Sequence, residues 1–183
     1  MINAMGRSQV KPYPTYIPPL NGYEQSYRDW SRKIKGDYPY QVYNPHYLRR
    51  AHTVFDSTPT LREAWANPVC ISARDAAEKG IKDGDTVIIY NQYGKVLRRA
   101  SVSERIMPGC IAVPHGAWLD IDEKSGIDRS GSDNILCAPT TTGCGVSGYN
   151  TNLVNYEKYD GKPLPADASK PPKIARVEGK EKR

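Results

Sequence analysis

Residues 44–53 carry two of the chain's three histidines, two arginines and a tyrosine within ten positions: Asn44, Pro45, His46, Tyr47, Arg49, Arg50, His52 and Thr53 stand close together. They follow directly on Tyr40-Gln41-Val42-Tyr43, whose aromatic and β-branched content predicts a strand. A loop of this make-up at a strand end can meet an anionic or heteroaromatic ligand. Guanidinium forks grip phosphate, and imidazole donates or accepts hydrogen bonds without having to be charged. Metal ligation fits less well, because the six-residue spacing of His46 and His52 matches no common helical pair and no carboxylate sits at a matching position. Ordinary packing or surface roles remain open for both.

A second stretch of this kind is Pro114-His115-Gly116-Ala117-Trp118. Small residues let a backbone approach a ligand while the indole stacks, although Trp118 would serve equally well as a cap on the core. Asn134 and the small-residue loop 143–150, ending in Asn150, add amide side chains. That loop lacks the strand-Gly-x-Gly-x-x-Gly-helix setting of dinucleotide folds. No Ser-His-Asp order and no paired carboxylates stand out. Cys70, Cys110, Cys137 and Cys144 form no Cys-x-x-Cys pair, which argues against a zinc or iron-sulfur centre built from this chain alone. The chain by itself is not expected to be catalytic.

The elements that must position these groups lie mainly between Val69 and Trp118. Val69-Cys70-Ile71 reads as a strand, and residues 72–79 as a short helix with Ser72 as N-cap, Asp75 at the capping-box position and Gly80 as the left-handed stop. Thr86-Val87-Ile88-Ile89-Tyr90 predicts a buried strand. Tyr93-Gly94 turns the chain into residues 95–102, which alternate enough to predict a half-exposed strand. Pro108-Gly109 precedes a short buried strand over 110–113. Upstream, residues 1–39 are rich in proline and tyrosine and read as an extended strap with one brief helix over 23–33, closed by Gly36. Thr58-Pro59 predicts another helix start, with Thr58 as N-cap and a body reaching residue 66. Downstream, 134–137 is a short apolar segment, 152–156 a last strand, and residues after 159 a basic, disordered tail.

Composition agrees with a mainly β chain with short helices: 15 Gly and 15 Pro leave room for many turns, and a hydrophobic share of 38% supports one core of ordinary size. The net charge of +6 would favour an acidic partner, but much of the excess lies in the last fourteen residues, which have the make-up of a solvated tail. No segment is long and apolar enough to span a membrane, and the N-terminus lacks a signal-peptide apolar region.

Taken in order, these stretches resemble the C-terminal cofactor-binding domain of the molybdopterin oxidoreductases of the dimethyl sulfoxide reductase family, over roughly residues 40–159. The resemblance rests on Asn44-Pro45-His46 with His52 six residues on, then Ser72-Ala73-Arg74-Asp75 through Thr86-Val87. It continues through Asn91-Gln92-Tyr93-Gly94, Met107-Pro108-Gly109, His115-Gly116-Ala117-Trp118, Asn134-Ile135-Leu136 and the closing strand. The anaerobic dimethyl sulfoxide reductase catalytic subunits are the most similar in flavour.

The family implies a double-psi β-barrel that closes over bis(molybdopterin guanine dinucleotide) with molybdenum, a cofactor held mostly by upstream domains absent from this chain. By the same resemblance the 44–53 loop reaches the pterins through His46 and His52, with Arg49 or Arg50 near phosphate. His115, Trp118, Asn134 and Asn150 line the dinucleotide. Cys137 stands where family members often carry Thr. The implied parent enzyme reduces a small S-oxide or N-oxide in anaerobic respiration, outside the cytoplasm, and is membrane-associated through iron-sulfur and anchor subunits. No nucleic-acid partner is expected. The competing reading is a free-standing double-psi barrel that binds nucleotides, polyanions or a protein partner through its basic surface.

Overall fold

β-Branched and aromatic runs become strands in the computed structural model, which describes residue 13 and residues 21–139 and 152–169. In chain order the strands are β1 (Tyr27–Asp29), β2 (Ile34–Lys35), β3 (Tyr40–Tyr43), β4 (Pro68–Ser72), β5 (Thr86–Tyr90), β6 (Lys95–Ser103), β7 (Cys110–Ala112), β8 (Ile127–Asp128) and β9 (Leu153–Lys158). Two short helices, α1 (Pro59–Ala64) and α2 (Ala73–Glu78), flank β4. The main sheet runs β4-β7-β3-β9-β5-β6, and β6 pairs back onto β4, so six strands close a barrel with β8 laid beside β6. Two pairings within the six-stranded barrel are parallel, β3 with β7 and β4 with β6, and β8 also lies parallel to β6. The fold is a double-psi β-barrel. Its core is mainly β-branched: Val69, Ile71, Val87, Ile89, Ile111 and Val154 are all fully buried.

The N-cap expectation for α2 holds, with the Ser72 hydroxyl accepting from the Asp75 amide at 3.0 Å. The Asp75 carboxylate, at the capping-box position, accepts the Gly109 amide at 2.7 Å and so ties the helix to the turn before β7. Gly80 takes the left-handed conformation expected after the helix, at φ 65°.

Four local expectations differ from the structure. In place of a helix over 23–33 there is a 3-10 turn at Glu24–Ser26 followed by the antiparallel pair β1 and β2. The rings of Tyr23, Tyr27 and Trp30 meet edge to face at 5.1–5.7 Å, and the ammonium of Lys33 sits 3.0 Å from the Trp30 centroid. These contacts favour the hairpin over a lone helix. Helix α1 ends at Ala64, and Thr58 occupies the N-cap position without a side-chain capping bond. Strand β6 is not half exposed: Val96, Leu97 and Arg98 are consecutively buried, because Val96 joins the barrel core, Leu97 packs against Ile127 and Leu164 in a second cluster, and Arg98 finds carbonyl acceptors inside.

The tail also differs as far as residue 169. Leu164 is buried against Leu97 and Ile127, its amide donates to the Thr86 hydroxyl at 3.0 Å, and its carbonyl accepts from Arg99 at 3.2 Å. A 3-10 turn at Asp167–Ser169 then brings the Asp167 carboxylate to Arg49. This apolar side chain, with both backbone groups satisfied, and the Asp167–Arg49 ion pair together dock the C-terminal segment on the barrel. Residues 170–183 lie outside the described part. Replacing Leu164 by Ala should lower unfolding stability by about 2 kcal/mol, read from the urea midpoint, the lower end of what buried Leu truncations cost. An unchanged midpoint would mean that Leu164 contributes no packing. Among the described residues no helix is long and apolar enough to cross a membrane.

Candidate functional site

Strands β3 and β7 run parallel with Tyr43 opposite Ala112, so the segments that follow them leave the barrel at the same end. The first is the 44–58 loop and the second is 113–118. Between them and the turn 131–134 lies a pocket of about 340 Å³ lined by Asn44, His46, His52, Thr53, His115, Gly116, Asp133 and Asn134. All three histidines of the chain meet here. The ring centroid of His115 is 4.3 Å from that of His46 and 4.6 Å from that of His52, and His46 and His52 are 5.7 Å apart.

Backbone bonds set the positions of the rims. His115 donates its amide to the Pro45 carbonyl at 3.1 Å, and Gly116 donates to Asp133 Oδ1 at 2.9 Å. Asn44 Nδ2 donates to the Val113 carbonyl at 3.0 Å and to Asp133 Oδ2 at 3.3 Å. Asp133 therefore bridges all three segments.

Arg50 holds the same rim from behind, donating from Nε to the His115 carbonyl at 3.0 Å and from Nη2 to the Pro114 carbonyl at 3.1 Å and Asn67 Oδ1 at 2.8 Å. Arg50 Nη1 and Arg49 Nη2 share Asp56 Oδ1 at 3.0 and 2.8 Å, while Asp56 Oδ2 accepts the Trp118 amide at 3.3 Å.

These bonds leave the His115 ring distinctive. Its Nε2 is buried and has no hydrogen-bond partner among the described residues. Burial holds the His115 imidazole below its ordinary pKa, His46 and His52 push the same way, and Asp133 only partly opposes them. The ring is neutral at neutral pH, and a neutral imidazole nitrogen can donate to or accept from a heterocycle.

Of the residues singled out in sequence, the pocket brings together Asn44, His46, His52, Thr53, His115 and Asn134. Pro45 contributes its carbonyl from behind, and the Tyr47 carbonyl accepts the Arg50 amide at 3.3 Å. Arg49 and Arg50 are only 2% and 4% exposed, with their guanidinium groups turned into the protein and ion-paired to Asp56. They hold the loop in shape instead of reaching out of it. Trp118 is 52% exposed and stands outside the pocket lining, and Asn150 lies outside the described residues. Among the described residues no three His, Cys, Asp or Glu side chains are placed to share a metal ion.

Sequence reasoning missed Asp56, Asn67, Arg98 and Asp133. Asp133 stands next to Asn134 and after the Gly131-Ser132 turn, a cue within reach. Arg98 had a weaker one, a charge lodged after Val96-Leu97 in a strand.

The family model described as the molydopterin dinucleotide binding domain matches residues 40–153. The chain is 36% identical over 152 residues to the probable dimethyl sulfoxide reductase chain YnfF of Escherichia coli (strain K12), an alignment that covers 81% of this chain and 18% of that one. It is 31% identical over 186 residues to the dimethyl sulfoxide/trimethylamine N-oxide reductase of Cereibacter sphaeroides, covering 95% and 21%. The chain thus spans about a fifth of the length of these relatives. Among solved structures, acetylene hydratase from Pelobacter acetylenicus superposes with a TM-score of 0.67 over 86% of this chain and 22% of that one, at 17% identity, a likeness of fold.

Proposed function

This chain belongs to the molydopterin dinucleotide binding domain family, and we propose that its histidine-lined pocket receives the pterin end of the cofactor. It is the molybdopterin dinucleotide binding domain of a molybdoenzyme of the dimethyl sulfoxide and trimethylamine N-oxide reductase type. The cofactor is molybdopterin guanine dinucleotide with molybdenum.

The observation that carries the reading is the buried Nε2 of His115, without a partner among the described residues and set in a pocket whose remaining polar groups are two imidazoles, two amides, a hydroxyl and a carboxylate. Donors and acceptors of this kind fit the edge of a hydrogen-bonding heterocycle. At about 340 Å³ the pocket takes one end of a dinucleotide and leaves the rest to groups outside this chain. In this reading Asn44, His46, His52, His115 and Asn134 contact the heterocycle. Arg49 and Arg50 keep the loop in shape and leave phosphate to other groups, and Trp118 offers an exposed ring face beside the pocket. When bound, the cofactor supplies a metal centre for two-electron redox chemistry, and the chain's part is to bind and orient it.

The parent protein, in the same reading, is a larger catalytic subunit that transfers an oxygen atom from a small S-oxide or N-oxide. It works outside the cytoplasm with iron-sulfur and membrane-anchor subunits. What supports this is the naming of the relatives and the one-fifth share of their length that the chain covers.

Molybdopterin guanine dinucleotide released from a relative's holoenzyme, added to the 183-residue chain and followed by pterin fluorescence, tests the pocket. The double variant His46→Ala, His52→Ala should bind at least about tenfold more weakly, the loss of roughly 1.4 kcal/mol of hydrogen bonding. Equal binding by the variant and the unaltered chain would remove the pocket from the reading.

A further inference from the structure

We propose that Arg98 is the positioning residue of this pocket: by holding the Pro114 and Gly131 carbonyls it fixes the two rims against each other and so sets where His115 presents Nε2. The inference rests on the reading of the pocket as the cofactor site, but concerns the architecture behind it.

Arg98 is fully buried in the middle of β6, and its hydrogen bonds among the described residues all go to carbonyls. Nε and Nη2 both donate to Gly131, at 2.9 and 2.5 Å, Nη2 also donates to Pro114 at 2.7 Å, and Nη1 donates to Pro68 at 3.1 Å. The three acceptors lie on three separate segments: the start of β4, the His115 rim, and the turn that carries Asp133. A planar guanidinium reaches all three at once from three separate nitrogens, whereas an ammonium has its three donors on one nitrogen and an amide has only two.

The surroundings are built for it. Gly131 is left-handed at φ 73°, and a Cβ there would fall 2.8 Å from Arg98 Cγ and 2.9 Å from its Nε, so only glycine lets the arginine stem pass. Asp128 holds the other side of that turn, accepting the Ser132 amide at 2.6 Å and the Ser130 amide at 3.2 Å. With donors bound to Asp128 and the Gly131 carbonyl bound to Arg98, the turn has one position, and Asp133 and Asn134 follow from it. Asp133 then takes the Gly116 amide, which closes the circuit back to the His115 rim. Burying a cation without a direct carboxylate bond is costly, and an apolar side chain would fill the barrel more cheaply. The linkage of the two rims is what an apolar residue cannot supply.

The test follows the His115 ring by NMR in the isotopically labelled 183-residue chain, with no cofactor present. In the unaltered chain His115 should titrate below the ordinary imidazole range. In Arg98→Met its midpoint should rise toward that range, with shifts at the Gly116 and Ser132 amides. Arg98→Lys, which keeps the charge but not the fork, should recover only part of the change. Ile89→Ala, a core truncation in β5, should lower stability while leaving the His115 midpoint in place. If Arg98→Met does not fold, Gly131→Ala displaces the arginine stem and should move His115 the same way. An unmoved His115 in the Arg98 or Gly131 variants, or an equal shift in Ile89→Ala, would overturn the proposal. Because no cofactor enters this experiment, such a result counts against Arg98 alone. Failure of the reading of the pocket would instead appear as undiminished pterin binding by the His46 and His52 variant.

Discussion

Replacing Gly116 with Ala is expected to abolish measurable molybdopterin dinucleotide binding and to cost at least about 3 kcal/mol of stability, more than a surface glycine substitution would. The first reason is conformational: Gly116 sits at φ 83°, where a side chain is strained. The second is steric and larger. A Cβ at this position would lie 1.8 Å from the His52 carbonyl oxygen and 2.4 Å from its carbonyl carbon. Both are backbone atoms, so no rotamer change relieves the clash, and the 44–58 loop must separate from the 113–118 rim. His52 is itself held at φ 55° and has little room to adjust. Separation would break the His52–His115 ring contact at 4.6 Å and pull the Gly116 amide off Asp133. Pterin fluorescence titration and urea unfolding of the same variant check the two halves. Gly84→Ala is the control: it is left-handed at φ 81° but has open space around its Cβ, so it should lose stability through strain alone and keep its binding. Should Gly116→Ala bind as Gly84→Ala does, the close approach of the two loops is not what forms the pocket.

Three barrel strands were legible because each contains a short apolar run bounded by turn or polar residues. Val69-Cys70-Ile71, Thr86 to Tyr90 and Cys110-Ile111-Ala112 all lie inside the observed strands β4, β5 and β7. The α2 cap was legible for the same local reason, since Ser72 and Asp75 are three residues apart. The pocket was half legible. Unusual residue types clustered in sequence marked His46, His52 and His115, and the parallel pairing of β3 and β7 brings the two clusters together. What sequence could not show is direction. Arg49 and Arg50 sit among the ligand-facing histidines, yet their guanidinium groups turn inward to a carboxylate six or seven residues on. Nothing in a list of residue types separates an arginine that reaches out from one that reaches back. Arg98 failed for a related reason, because its partners are carbonyls of Pro68, Pro114 and Gly131, and backbone acceptors carry no residue signature. The N-terminal hairpin failed because Tyr23, Tyr27 and Trp30 have helix-like spacing, and only their edge-to-face packing distinguishes the hairpin.

Asp56 is where the second large effect is expected. Its carboxylate, 3% exposed, accepts from Arg49 and Arg50 on one oxygen and from the Trp118 amide on the other, while its carbonyl accepts Arg62 Nε at 2.7 Å. Asp56→Ala removes the charge that two buried guanidinium groups share and should cost about 3–5 kcal/mol, lowering the melting temperature by roughly 10 °C. Asp56→Asn keeps the shape and should lose less. The sign of the pH dependence separates a paired carboxylate from a mere filler. Burial pushes the Asp56 pKa up, but Arg50 and Arg49 outweigh it, so the folded protein holds this carboxyl below the usual aspartate value. A depressed folded pKa contributes stability that is complete above the unfolded pKa of about 4 and is lost as pH falls through the folded one. The stability gap between the unaltered chain and Asp56→Asn, measured by urea unfolding, should therefore be constant near neutrality and shrink below about pH 4. A gap that persists undiminished into acid would mean that the arginines do not act through the charge of Asp56. Because Arg50 also holds the Pro114 and His115 carbonyls, loss of its counter-ion should loosen the pocket rim as well. Pterin affinity in Asp56→Asn should then fall in parallel with stability, although Asp56 itself does not line the pocket.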